Sequence, residues 1–149
     1  MQWVKGLHGR VFGPGRFART AFRVRERLPV DPGLCLIAMD GDRRVGSVWM
    51  TPVCIGGEGG CLLGPLAIDT DYRNRGLGRM LVRTATRMAL AMECHGFVVL
   101  VGDEEYYGSM GFKRARPGSI IFPGPVDPER VLVCFGEEGH IEGLAGSIV

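Results

Sequence analysis

The stretch from Gly64 to Leu81, GPLAIDTDYRNRGLGRML, carries the residue types and spacing with the clearest chemical meaning. Arg73-x-x-Gly76-x-Gly78 falls where a polar turn passes into a helix start. Amides at a helix N-terminus have no intrahelical acceptor, and the helix dipole points the same way, so the two together attract an anion. Glycines at 76 and 78 let a bulky group approach the backbone and accept dihedrals that a β-carbon forbids. That combination fits a pyrophosphate cradle. Two other phosphate motifs are excluded. A P-loop needs Lys and then Ser or Thr after its second glycine, and Arg79-Met80 stands there. A dinucleotide fingerprint needs a third small residue, where this chain has Leu81. Alone, the pattern fits a helix start that holds no ligand better than it fits a cradle, so the surrounding elements decide.

Those elements follow from periodicity. Upstream, Leu34 to Met39, Val45 to Val53 and Cys61 to Ile68 read as three successive strands. Asp40-Gly41-Asp42 is a hairpin turn, Gly56 to Gly60 a loose glycine-rich turn, and such short connections make the strands antiparallel. Pro65 inside the third strand removes a ladder donor, which implies a bulge, an edge position or a deliberate opening between strands. Downstream, apolar residues at 77, 81, 85, 88 and 92 keep helical spacing, with Gly96 as the stop. Phe97 to Val101 is a continuous apolar run, as in a strand buried on both faces. Strand, helix and strand at this spacing predict a parallel βαβ unit within a mixed sheet, its parallel pair meeting at the cradle. Asp103 to Ser109 reads as a short helix or turn, and Val131 to Phe135 as a last strand. Before all of these, Trp3 to Phe12 and the pattern Phe17, Ala21, Val24, Leu28 are helical.

The bulk numbers restrict the class. A chain of 149 residues, 46% hydrophobic and 23% charged, fits one globular domain spanning 1–149. No apolar run reaches the roughly 18 residues a membrane span needs, and residues 1–5 lack a secretory signal's apolar stretch. The five cysteines, 35, 54, 61, 94 and 134, form no C-x-x-C pair and sit among apolar neighbours; they read as buried reduced thiols in a cytoplasmic protein without a metal site. Net charge is only +2, too small to argue for nucleic acid by itself. Arg10, Arg16, Arg19, Arg23, Arg25 and Arg27 do crowd the first part of the chain, and they read as a solvated helix face.

Three features now stand in order: LLGPLAID, RNRGLG and YYGSMGF. Together they resemble the GNAT superfamily of acetyl-CoA-dependent N-acyltransferases, specifically its small bacterial branch of predicted acetyltransferases. The resemblance is carried by Arg73, Gly76 and Gly78 in R-x-x-G-x-G, and by Tyr107, Gly111 and Phe112 in Y-x-x-x-G-F. It implies the acyl-CoA N-acyltransferase fold: a mixed α+β chain whose central sheet has antiparallel N-terminal strands and a splayed parallel pair, flanked by helices. It further implies that the pantetheine arm of acetyl-CoA, a co-substrate used without a metal, lies between the splayed strands. Leu66, Ala67 and Ile68 would offer it backbone groups. Arg73, Asn74, Arg75, Gly76, Leu77, Gly78 and Arg79 would surround the pyrophosphate, while Gly102, Asp103 and Tyr106 would border the far wall.

By the same resemblance the reaction is attack of a primary amine, of a small molecule or a protein, on the thioester within a ternary complex. Tyr107 would protonate the leaving CoA thiolate, with Tyr106 one position out of register, and a backbone N–H near Ala67 would stabilise the oxyanion. The base is open: Glu58 in the glycine-rich turn is one candidate, beside Glu26 and a water chain. His8, His95 and His140 read as surface or helix-end residues. A non-catalytic acetyl-CoA-binding or regulatory module is the alternative function. Family members open with a strand before the first helix, whereas Met1 here falls at or inside that helix, so the first strand is expected to be missing or to precede this start. Residues 117–149, rich in Gly and Pro, would wall the acceptor site or make a homodimer contact.

Overall fold

A computed structural model describes residues 2–12, 23, 24, 26–136 and 143–149. Helix α1 spans Gln2–Phe12 and buries Val4 and Leu7, as the spacing predicted. Of the second helical pattern, Val24 is helical and buried; Phe17 and Ala21 lie outside the described residues, as do Arg16, Arg19, Arg25 and His140. Arg10 and Arg27 are exposed, as a solvated face requires.

Three antiparallel strands follow: β1 (Leu36–Asp40), β2 (Arg43–Ile55) and β3 (Glu58–Ile68). Strand β1 starts later than its apolar run because Pro32–Leu34 closes a 3-10 turn, capped by the Asp31 carboxylate accepting from the Gly33 amide at 2.9 Å. The glycine-rich connection is also tighter than its composition suggested. Only Gly56 and Gly57 form the turn, both at positive φ, and Glu58 already pairs with Ile55. Helix α2 (Leu77–Leu90) then leads to β4 (Phe97–Val101). It ends at Leu90, ahead of the expected Gly96: the Ala91 amide makes the last bond four residues back, to Arg87, while the Met92 amide reaches only to Ala89, in a turn where Met92 is exposed. A short helix, α3 (Glu104–Tyr107), is followed by β5 (Lys113–Arg114), β6 (Ile120–Ile121), β7 (Val131–Phe135) and β8 (Gly146–Ser147).

The main sheet has six strands in the order β1-β2-β3-β4-β7-β5, while β6 and β8 form a separate parallel pair. Within the main sheet β3–β4 is the parallel pair, and it joins two antiparallel halves. Alternation along the strands divides the core between two faces. Val98, Leu100 and Leu132 join Leu81, Val82, Ala85 and Ala89 of α2 on one face. Phe97, Val99, Val131 and Val133 meet Val24, Phe122, Leu144 and Ile148 on the other.

Two expectations about side-chain environment change here. His8 is buried at mid-helix, its ring edge-on to Trp49 of β2 with centroids 4.8 Å apart, because α1 lays that face on the sheet. His95 follows the end of α2 as expected yet is buried. All five cysteines are free, but Cys54 and Cys94 are exposed, since each sits at an element end that the core does not cover.

Candidate functional site

Pro65 does not mark an edge strand. Val48 pairs with Leu66 and Met50 with Leu63, so Gly64 and Pro65 together oppose Trp49 in a bulge, and the peptide joining them is cis. Gly64 has φ 134°, which glycine accepts freely. On its other side β3 pairs with β4 only at Cys61–Val98 and Leu62–Val99. From Leu63 onward the two parallel strands run without ladder pairs among the described residues. In a continuous sheet every inner strand is paired on both sides, so the main-chain groups of Leu66 to Ile68 that would face β4 are left for another partner.

The open end of that gap runs into the start of α2. Asp69 caps a 3-10 turn over Thr70–Tyr72, accepting from the Asp71 amide at 3.3 Å. Asn74 then adopts the left-handed region at φ 62°, and Gly76, the helix N-cap, does so at φ 78°. After these two reversals α2 begins, with no side-chain cap at Gly76 and its first amides free of intrahelical acceptors. Leu66 and Ile68 of β3, Tyr72 to Asn74, Gly76 to Arg79, Tyr106 and Val11 of α1 enclose a cleft of about 690 Å³. A β-carbon on Gly78 would fall 2.7 Å from the Tyr106 hydroxyl, so glycine is what allows α2 and α3 to meet there.

The charge in this cleft is positive and held in place. Arg79 stacks on Tyr106, 4.9 Å from the ring centroid, and donates to Ser109 Oγ at 3.1 Å. Tyr72 donates its hydroxyl to Asp40 Oδ2 at 2.6 Å, and that bond holds the phenol above its usual pKa. Among the described residues Arg73, Arg75 and Arg79 have no carboxylate partner; the ion pairs present are those of Arg43, Arg114 and Arg130.

Most of the residues singled out in the sequence come together. Leu66, Ile68, Arg73, Asn74, Gly76, Leu77, Gly78, Arg79 and Tyr106 line the cleft. Ala67 is buried between two of them, opposite Ser47, and Arg75 is exposed beside Tyr72. Tyr107 is half-buried, with ring centroids 4.7 Å from Tyr106 and 5.9 Å from Phe112, and fits under Gly102, where a β-carbon would overlap its ring. Gly102 donates to the Arg130 carbonyl at 2.9 Å. Asp103 is exposed and bound to the Arg130 guanidinium at 3.2 Å. Glu58 is not brought to the cleft: it opens β3, eight residues before Leu66, roughly 26 Å along an extended strand. Glu26 is exposed in a turn and also lies outside the lining. Two lining residues were missed, Val11 and Tyr72. Tyr72 directly precedes Arg73 and had a local signal in its place in the turn; Val11 had none, because only tertiary packing brings α1 to the cleft.

A bulged strand that parts from its parallel neighbour and points at a glycine-opened helix start is the arrangement expected of the GNAT fold, and the sequence comparisons agree. Residues 31–114 match the acetyltransferase (GNAT) domain family, and the chain belongs to that family. A curated relative, the uncharacterized N-acetyltransferase YjhQ of Escherichia coli strain K12, is 28% identical over 137 residues, covering 89% of this chain and 75% of its own. The E. coli GNAT family N-acetyltransferase YhbS, solved in complex with CoA, superposes with a TM-score of 0.76 at 26% identity, over 97% of this chain and 81% of that one. A GNAT family acetyltransferase from Brucella melitensis, solved with acetyl-CoA, shares the fold at a TM-score of 0.56 and 24% identity, over 88% of this chain and 84% of its own.

Proposed function

We propose that this acetyltransferase binds acetyl-CoA in the cleft between β3 and β4 and transfers the acetyl group to a primary amine by direct attack in a ternary complex. The observation that carries this reading is the loss of β3–β4 pairing after Leu62, which opens a slot leading to the α2 amides. Structures of relatives holding CoA and acetyl-CoA support it. In this reading the pantetheine arm takes up main-chain groups of Leu66, Ala67 and Ile68. The diphosphate meets the amides of residues 76–79, with arginine side chains adding charge-assisted contacts.

The amine nitrogen attacks the thioester carbonyl carbon, and the carbonyl π electrons move onto oxygen. A main-chain N–H near Ala67 stabilises that oxyanion. Collapse reforms the carbonyl and breaks the carbon–sulfur bond. The thiolate receives a proton from the Tyr107 hydroxyl. The amine's proton leaves through water, because neither Glu58 nor Glu26 lies at the cleft. The acceptor is a small-molecule or protein amine. Five free thiols fit a reducing compartment such as the cytoplasm. No helix among the described residues is long and apolar enough to cross a membrane.

The test is CoA-thiol release from acetyl-CoA over a panel of polyamines, aminoglycosides, amino acids and N-terminal peptides. At least one amine should raise release well above hydrolysis. Binding of acetyl-CoA with no amine-stimulated release, and no effect of Tyr107→Phe, would leave a binding or regulatory module instead.

A further inference from the structure

Tyr72 is held on three sides. The Arg75 guanidinium stacks on its ring at 4.7 Å from the centroid, Arg43 stacks at 5.1 Å, and the hydroxyl donates to Asp40 at 2.6 Å. The two arginines differ in their surroundings. Arg43 meets Asp69 at 3.6 Å and Asp71 at 3.4 Å, so its charge is answered within the fold. Arg75 has no such partner among the described residues, and Tyr72 itself is a wall of the cleft.

A free arginine loses substantial rotamer entropy when it closes on a ligand. One already resting on an aromatic face has given up part of that freedom in advance, while its planar fork keeps donors to spare. The ring has its own anchors, because Asp40 and Arg43, at the two ends of the β1–β2 turn, both hold it. The cluster therefore couples a sheet-edge hairpin to the loop before α2.

We propose that Tyr72 is a positioning residue, holding Arg75 beside the cleft that Tyr72 lines so that it takes a phosphate of the nucleotide end of CoA. This rests on the acetyl-CoA reading above and adds to it a side-chain clamp beside the backbone cradle. CoA presents two such groups, the diphosphate and the ribose phosphate, and both offer the doubly bonded geometry a guanidinium prefers.

The experiment is calorimetric titration of CoA and dephospho-CoA into the wild type, Arg75→Gln, Tyr72→Leu, Tyr72→Trp and the Tyr72→Leu/Arg75→Gln double variant. Arg75→Gln should weaken CoA about tenfold, and Tyr72→Leu about threefold to fivefold. Because Tyr72 acts through Arg75, Tyr72→Leu should cost almost nothing further in the Arg75→Gln background, and Tyr72→Trp, which restores a stacking face without the bond to Asp40, should recover most of the affinity lost in Tyr72→Leu. If the Arg75→Gln loss disappears with dephospho-CoA, the clamp serves the ribose phosphate; if it persists, the diphosphate. The proposal is overturned if Tyr72→Leu weakens CoA equally in both backgrounds, or if wild type and single variants bind alike. A wild type that does not bind CoA at all would instead defeat the underlying acetyl-CoA reading, and the proposal with it.

Discussion

Tyr106 and Tyr107 are neighbours in sequence with different surroundings, and their variants should separate binding from chemistry. Tyr106 lines the cleft and carries Arg79 on its face, whereas Tyr107 packs between Phe112 and Gly102. Tyr107→Phe should lower kcat by about a hundredfold with little change in acetyl-CoA affinity; Tyr106→Phe should leave kcat nearly intact. Stopped-flow thiol release with parallel CoA titration distinguishes them. Gly78→Ala pushes a methyl toward the Tyr106 hydroxyl, so it should raise the KM for acetyl-CoA while the folded state persists. Cys61 gives a pH prediction. Burial, with smaller contributions from Asp31 and neighbouring thiols, pushes its pKa up to about 12. The native state thus holds this proton more tightly than the unfolded chain, whose thiol titrates near ~8.5. The stability it contributes is fully present below that value and is lost as pH rises toward about 12. Urea unfolding from neutral to alkaline pH should show this decline, and Cys61→Ala should flatten it. At neutral pH the exposed Cys54 and Cys94 should react with thiol reagents long before Cys61.

At the scale of elements, the strand–turn–helix unit was the most legible part of the chain. Gly76, Gly78 and Pro65 speak through local rules: a helix start needing open amides, and a strand losing a donor. Gly76 and Pro65 each mark a real irregularity, the N-cap at φ 78° and the bulge opposite Trp49. What local rules could not reach was long-range placement. Glu58 reads in sequence as part of a glycine-rich turn that could reach the cleft, yet register with Ile55 makes it a strand residue far from it. His8 looked like a surface residue because one polar side chain on a helix usually is; Trp49, 41 positions later in sequence, is what covers it. The two-residue strands β5, β6 and β8 are too short to show any periodicity at all. One element-level prediction follows from β3. Its Gly60 lies against the Phe97 ring of β4, where an added β-carbon would come within 2.6 Å. Gly60→Ala should therefore destabilise the protein by about 1–3 kcal/mol in denaturant melts through overpacking.

For the whole molecule, the proposed ligand and the fold are linked equilibria. A ligand that binds only the folded chain, present at a hundred times its Kd, adds about 2.7 kcal/mol. For a chain of this size that raises Tm by roughly 5 to 10 °C. Thermal melts with and without acetyl-CoA check it, and an unchanged Tm would count against cleft binding. The narrow β3–β4 junction has a mechanical meaning as well. Nine residue pairs tie β2 to β3 and five tie β4 to β7, but only two tie the halves together. In main-chain terms the sheet is a pair of three-stranded plates sharing a short seam beside Cys61 and Leu62. Under tension applied across the strands, that seam is where tearing should begin. A pantetheine lying in the slot would act as a rivet, and the force needed to part the plates would report whether it is occupied.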